Sequence, residues 1–266
     1  MSTFVVPLDG SRSGDEALRL GHEVAGSLGA ELGIVLVNGA CKRQSTNHDQ
    51  ETQGDEPTSA RVNIYRLTSE PDEDLLTWLS SLKQPIVVLD PLGPASSIAS
   101  WIARHGGPSV TTLAGKSGTA KPRLRRIMVP LDGSPAAEQA LSMASTLAQR
   151  SGAELGLVRI VPAGTTPTAE ALARIEQQRD EAREYLDKVA SQLRQQGIAV
   201  TWEVRIGQPG PEIARAAQTT ATNLILMASR HYVAGAGQSD SVTNTAIQAA
   251  SIPVIVTHIA NDQPKG

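Results

Sequence analysis

The sequence predicts an α/β protein built from two tandem domains, each a five-stranded, mainly parallel, doubly wound sheet. Three observations predict it. The hexapeptide Val-Pro-Leu-Asp-Gly-Ser stands at Val6–Ser11 and again at Val129–Ser134, 123 residues later. The pentapeptide Gly-Ala-Glu-Leu-Gly recurs at the same offset, at Gly29–Gly33 and Gly152–Gly156. Short apolar runs alternate with amphipathic stretches of helical period along both halves, the pattern of a parallel sheet covered by helices. Two matches in one register mean an internal duplication. A chain of 266 residues suits two domains of about 130 residues each. The boundaries read as 1–114 for the first domain, 115–125 for a linker, and 126–260 for the second.

The second copy is the more regular. Arg126–Asp132 is a short apolar run, read as a buried strand. Ser134 is placed as an N-cap and Pro135 suits the first helical turn, where its missing N–H costs nothing. Ala137, Ala140, Leu141, Ala144, Leu147 and Ala148 follow at helical spacing, and Gly152 is placed as a left-handed cap. Leu155–Val161 is the second strand. A long helix from about Thr168 to Gln196 carries Leu172, Ile175, Ala182, Leu186, Val189 and Leu193 on one stripe, and Gly197 stops it. Ile198–Ile206 is the third strand, Pro211–Ala221 the third helix and Asn223–Ala228 the fourth strand. Ser241–Ala250 is the fourth helix and Pro253–His258 the fifth strand.

The first copy keeps this order with two deletions. Val62 aligns with Val200, Pro71 with Pro209 and Val87 with Ile225, at an offset of 138. The shift from 123 to 138 removes 15 residues where the second copy has its long helix. Cys41–Ala60 stands there instead. It is polar and aperiodic, and reads as a mobile loop. Ser97 aligns with Ser241 and Val110 with Val254 at an offset of 144, so six more residues are missing after strand four. Ser109–Leu113 reads as strand five, and Gly115–Pro122 as the linker.

Composition narrows the function. Net charge is −3 and the pI is near 6, which argues against nucleic acid, since a phosphate-tracking surface needs a basic excess. No run approaches the eighteen or so apolar residues of a membrane span. The chain enters Phe4-Val5-Val6 with no basic segment before it, which argues against secretion. The single cysteine, Cys41, has no intramolecular partner. A cytoplasmic location is the expectation.

The duplicated start Ile127–Ser134, the βα order and the ending Ser241-Val242 through Ile252–Val256 resemble the universal stress protein family in its tandem, UspA-like form. The resemblance covers nearly all of both halves. It implies a Rossmann-like fold of the adenine nucleotide alpha hydrolase type. It also implies that the fifth strands pair antiparallel, making an intramolecular pseudo-dimer of the two domains. A homodimer of whole chains is left open.

The family contains nucleotide binders and non-binders. In binders the Asp ending strand one reaches the adenine, and a loop patterned G-x2-G-x9-G-[ST] cradles phosphates on backbone N–H groups at a helix N-terminus. Carried onto the second copy, the family site falls on Pro130, Asp132, Ile160, Met227, Ala228, Arg230, His231, Ser241 and Val242. The loop departs from the pattern. Ala228 and His231 stand at the first two glycines, eight residues follow instead of nine, and Asp240 stands at the third. A carboxylate about 4 Å from a phosphate is repelled by about 4 kcal/mol at an effective dielectric of about 20. Arg230 is the cation available to screen it. Asp240 reads better as a helix N-cap than as a ligand contact, Asp being among the best capping residues. In the first copy only Asp90–Ala95, with two prolines, separates strand four from Ser96-Ser97, which leaves no triphosphate site.

Asp9 and Asp132 have a structural reading too, in which each bonds the backbone of its own turn. A phosphoacceptor receiver domain would need an acidic pair after strand one and a late basic residue, and neither is evident. No base and nucleophile converge, and His22, His48, His105, His231 and His258 have no metal-ligand spacing. The expectation is a non-enzymatic stress-response regulator or scaffold with at most weak adenine-nucleotide binding in the second domain. It requires no cofactor and no metal. The ligand implied by the resemblance is ATP or AMP, with Mg²⁺ accompanying ATP. The alternative is a genuine ATP-binding stress protein with slow hydrolysis.

Overall fold

The computed structural model describes residues 3–8, 12–37, 62–67, 77–79, 81–82, 85–89, 111–114, 124–163, 168–229 and 242–258. Residues 38–61, the whole of the expected polar loop, lie outside this set. So do 90–110, 115–123 and 230–241, which hold the first-copy loop, the linker, Arg230, His231, Asp240 and Ser241.

Among the described residues, ten strands and five helices follow in order: β1 (Thr3–Leu8), α1 (Arg12–Leu28), β2 (Glu31–Val37), β3 (Val62–Leu67), β4 (Pro85–Leu89), β5 (Thr111–Ala114), β6 (Arg126–Pro130), α2 (Pro135–Ser151), β7 (Glu154–Pro162), α3 (Ala169–Gln195), β8 (Val200–Gly207), α4 (Pro209–Thr219), β9 (Leu224–Ser229), α5 (Val242–Ala249) and β10 (Val254–His258). They form one sheet in the order β3-β2-β1-β4-β5-β10-β9-β6-β7-β8. Each half repeats the same arrangement, parallel throughout. Strand order reverses between β1 and β4 and again between β6 and β9, so each half is doubly wound.

The two halves do not form separate sheets. β5 and β10 pair antiparallel, Leu113 opposite Ile255 and Thr112 opposite Val256. Both apolar layers run across this seam. Phe4, Val6, Leu20, Val24 and Ile86 join Ile127, Val129, Leu147, Leu155 and Leu186 on the face that carries α1, α2 and α3. Val5, Val35 and Val87 join Met128, Val158, Ile213, Ile225 and Ala246 on the face that carries α4 and α5. Strand residues therefore alternate between two buried faces, which explains the unbroken apolar runs in the sequence.

Local signals set the helix limits. Ser134 accepts a hydrogen bond from the Ala137 N–H at 3.3 Å, and Gly152 closes α2 with φ of 71° and its N–H on the Ala148 carbonyl. Thr168 caps α3 in the same way through the Ala171 N–H at 3.1 Å. α4 starts two residues before the sequence reading, at Pro209. Its first turn is Pro209-Gly210-Pro211, and prolines are tolerated there because first-turn N–H groups have no helical partner. α1 lies so close to the sheet at Gly21 that a Cβ there would stand 2.7 Å from Val6 Cγ2.

Candidate functional site

The site begins where β6 ends, at the switch point of the second half. The Leu131 N–H donates to the Val158 carbonyl at 2.8 Å, so the ladder continues one residue past Pro130. The chain then turns sharply. Asp132 Oδ1 accepts from the Ser134 N–H at 2.9 Å, and Gly133 between them has φ of 84°. This is the Asx turn of the structural reading, and it leads directly into the cap of α2.

Partial burial raises the Asp132 pKa. Hydrogen bonds from Ser134, side chain and backbone, and from its own N–H outweigh that, with help from the Arg159 guanidinium. The carboxyl is held below its ordinary 3.8. It is a solvent-exposed carboxylate, ionised at neutral pH and already turned onto its own backbone.

The predicted apolar frame is brought together in part. Ile160 on β7 and Met227 on β9 pack in one apolar layer, on the α4 and α5 face. Pro130 alternates with Val129, which faces the opposite layer, and so lies on the same side as both. Ala228 does not join them. It packs into the layer on the opposite face, as the residue after Met227 in a strand must. Val242, first residue of α5, is 43% exposed. Arg230, His231 and Ser241 fall outside the described residues.

Two side chains missed in the sequence, Arg159 and Tyr185, lie near Asp132. Arg159 on β7 stacks its guanidinium over the Tyr185 ring of α3, 5.3 Å from the centroid. The same guanidinium covers Gly133, where a Cβ would lie 3.4 Å from its Nη1. Tyr185 Oη is buried without a hydrogen-bond partner. Burial raises the Tyr185 pKa above its ordinary value, the Glu138 carboxylate adds to this, and Arg159 opposes it. A signal for Arg159 existed. It is the one charge in the strand run Leu157–Val161, and its counterpart in the first copy is Leu36.

This arrangement offers a hydrogen-bond acceptor, Asp132, beside a guanidinium at the carboxyl ends of the strands. It has the means to bind and orient a ligand N–H or O–H. Among the described residues no three His, Cys, Asp or Glu side chains gather as metal ligands. Among the same residues no helix is long and apolar enough to cross a membrane.

Comparison with known proteins identifies the lineage. Residues 123–258 match the universal stress protein family model. The chain belongs to the universal stress protein family. A universal stress protein of Synechocystis sp. is 28% identical over 120 residues, covering 40% of this chain and 78% of that protein. Among solved structures, a universal stress protein from Archaeoglobus fulgidus superposes with a TM-score of 0.61 at 16% identity, over 98% of this chain and 97% of its own. A protein of Pseudomonas aeruginosa described as functionally unknown gives 0.61 at 17% identity, over 96% and 92%. At such identities the two structures bear on the fold alone. They share the α/β fold along nearly the whole chain, while the family match itself lies on the second half.

Proposed function

We propose that this protein is a tandem universal stress protein that acts as a stress-response regulator or scaffold. Its two halves form an intramolecular pseudo-dimer, and the second half binds adenine nucleotides weakly at most, through the adenosine end. It works by binding rather than by catalysis. The observation that carries the reading is the Asp132 carboxylate. It stands at the switch point, where the family's adenine contact would be, but is engaged by Ser134 within its own turn. A ligand donor there competes with an existing hydrogen bond, whose net worth is about 1 kcal/mol. The seam between β5 and β10, with both apolar layers continuous across it, supports the scaffold part.

Calorimetric titration of AMP and ATP, with Asp240→Gly beside the natural chain, tests the proposal. The expected result is weak AMP binding, weaker ATP binding, and a gain on substitution that is larger for ATP than for AMP. Tight ATP binding that Asp240→Gly leaves unchanged would refute it.

A further inference from the structure

The second half holds a groove that the first half fills with its own side chains. It lies near the amino-terminal ends of β6, β7 and β8, away from Asp132. Gly156, Met128, Arg126, Thr201, Glu203 and Thr220 line it, and its volume is about 220 Å³. A Cβ placed on Gly156 would meet only Arg126 Cδ at 3.9 Å and the Ile127 carbonyl oxygen at 4.0 Å.

The duplication supplies an internal control. Gly33 is the counterpart of Gly156 and Thr3 of Arg126, at the offset of 123. A Cβ on Gly33 would meet Thr3 Cγ2 at 3.6 Å and the Phe4 carbonyl oxygen at 3.7 Å, the same two neighbours, and a third: Trp78 Cη2 at 3.6 Å. The indole of Trp78 lies over Gly33, and both Trp78 and Leu82 pack on the apolar layer there. At the offset of 138 these two positions become Ala216 and Thr220. The second half keeps the glycine and has smaller side chains at both positions, Thr220 lining the groove and Ala216 buried in the same apolar layer.

We propose that this groove is a binding site for a planar, indole-sized heteroaromatic compound carrying an N–H donor on its edge. The size and shape are taken from the Trp78 indole, whose edge lies over the equivalent glycine in the first half. Gly156 and Met128 offer a flat floor and a polarisable sulfur suited to an aromatic face. The polar rim fixes the edge chemistry. The Arg126 guanidinium is already held by Glu154 Oε1 at 2.7 Å, Thr201 Oγ1 at 3.0 Å and the Thr220 carbonyl at 2.9 Å, so it is a rigid wall. Glu203 Oε1 is buried and accepts no hydrogen bond, although Arg205 Nε lies 3.1 Å away as an ion contact. The Glu203 carboxylate, one-third exposed and lining the groove, has acceptor capacity beyond its ion pair with Arg205 and suits an N–H of the ligand.

Indole itself is the probe, titrated calorimetrically into the full-length protein, with 1-methylindole as the analogue lacking the donor. Saturable binding of indole with a dissociation constant on the order of 0.1–1 mM is expected. 1-Methylindole should bind about tenfold more weakly. Ala216→Trp and, as a milder change, Thr220→Leu restore the first-half side chains and should each weaken indole binding by about tenfold or more. Absence of saturable binding to the natural chain overturns the proposal. So does affinity unchanged in Thr220→Leu and in folded Ala216→Trp. Equal affinity for the two indoles overturns the role of Glu203. AMP titrated into the same variants should bind as before, which separates this site from the one at Asp132.

Discussion

Gly210→Ala is expected to destabilise the protein, although the same change in most helices stabilises. Gly210 lies in the first turn of α4, against α5. A Cβ there would overlap Thr245 Oγ1, and would stand 2.7 Å from Thr245 Cβ and 3.0 Å from the Ala246 backbone nitrogen. A rotamer change can remove the hydroxyl but not the Cβ or the backbone nitrogen, so the two helices must move apart. Overpacking of this kind costs about 1–3 kcal/mol, and backbone involvement favours the upper end. Replacing glycine in a helix returns up to about 1 kcal/mol. The net is a loss of about 2 kcal/mol, or about 4–8 °C in Tm for a chain of this size. Gly26 in α1 is the control, because nothing lies within 4 Å of a Cβ placed there. Gly26→Ala should leave stability unchanged or raise it by about 0.5–1 kcal/mol. Urea denaturation of both variants reads the difference, and Gly210→Ala with Thr245→Ala should recover part of the loss. A Gly210→Ala protein as stable as the natural one would refute the reasoning, because the close approach of α4 and α5 would then not exist.

Two further outcomes follow from the polar contacts. Asn223 Oδ1 accepts from both the Arg125 and Arg126 N–H groups, at 2.9 and 3.0 Å. Asn223→Ala should cost about 1–3 kcal/mol in denaturant melts, and Asn223→Asp, which keeps the acceptor, should recover most of it. Asp132 has a folded pKa below its ordinary 3.8, so its contribution is fully present above that value and is lost as pH falls through the lower folded value. Asp132→Asn should therefore be less stable than the natural chain at neutral pH, by a small amount given the exposed position. Thermal melts over a pH series should show the gap closing in acid, and a gap that widens in acid would contradict the assignment.

Much of the fold was legible because its signals are local. Ser134 and Gly152 mark helix ends through contacts within four residues, and both caps form as read. The repeat offsets carried the strand order from one copy to the other. Ile34 pairs with Ile64 just as Leu157 pairs with Trp202, which the offsets of 123 and 138 require. The site was less legible because its decisive contacts are not local. Arg159 meets Tyr185 across two elements, and nothing in the period of α3 marks that tyrosine. Whether the Asp132 carboxylate points to a ligand or to its own turn depends on a torsion, which a motif does not record. Ala228 stands at the place of the family's first loop glycine but faces the other apolar layer, because strand alternation decides its side of the sheet. The groove over Gly156 is visible only when both halves are compared in three dimensions.

The seam between β5 and β10 changes what mutation is able to do to this architecture. When two identical chains associate about a two-fold axis, every substitution is made twice, and a change that suits one side is imposed on the other. Here the two sides are encoded separately and held together by the backbone, so their encounter does not depend on concentration. A residue is free to change on one side while its counterpart stays. Trp78 opposite Ala216 and Leu36 opposite Arg159 are such unilateral changes. The covalent link therefore permits the two halves to diverge independently while they stay joined in one sheet.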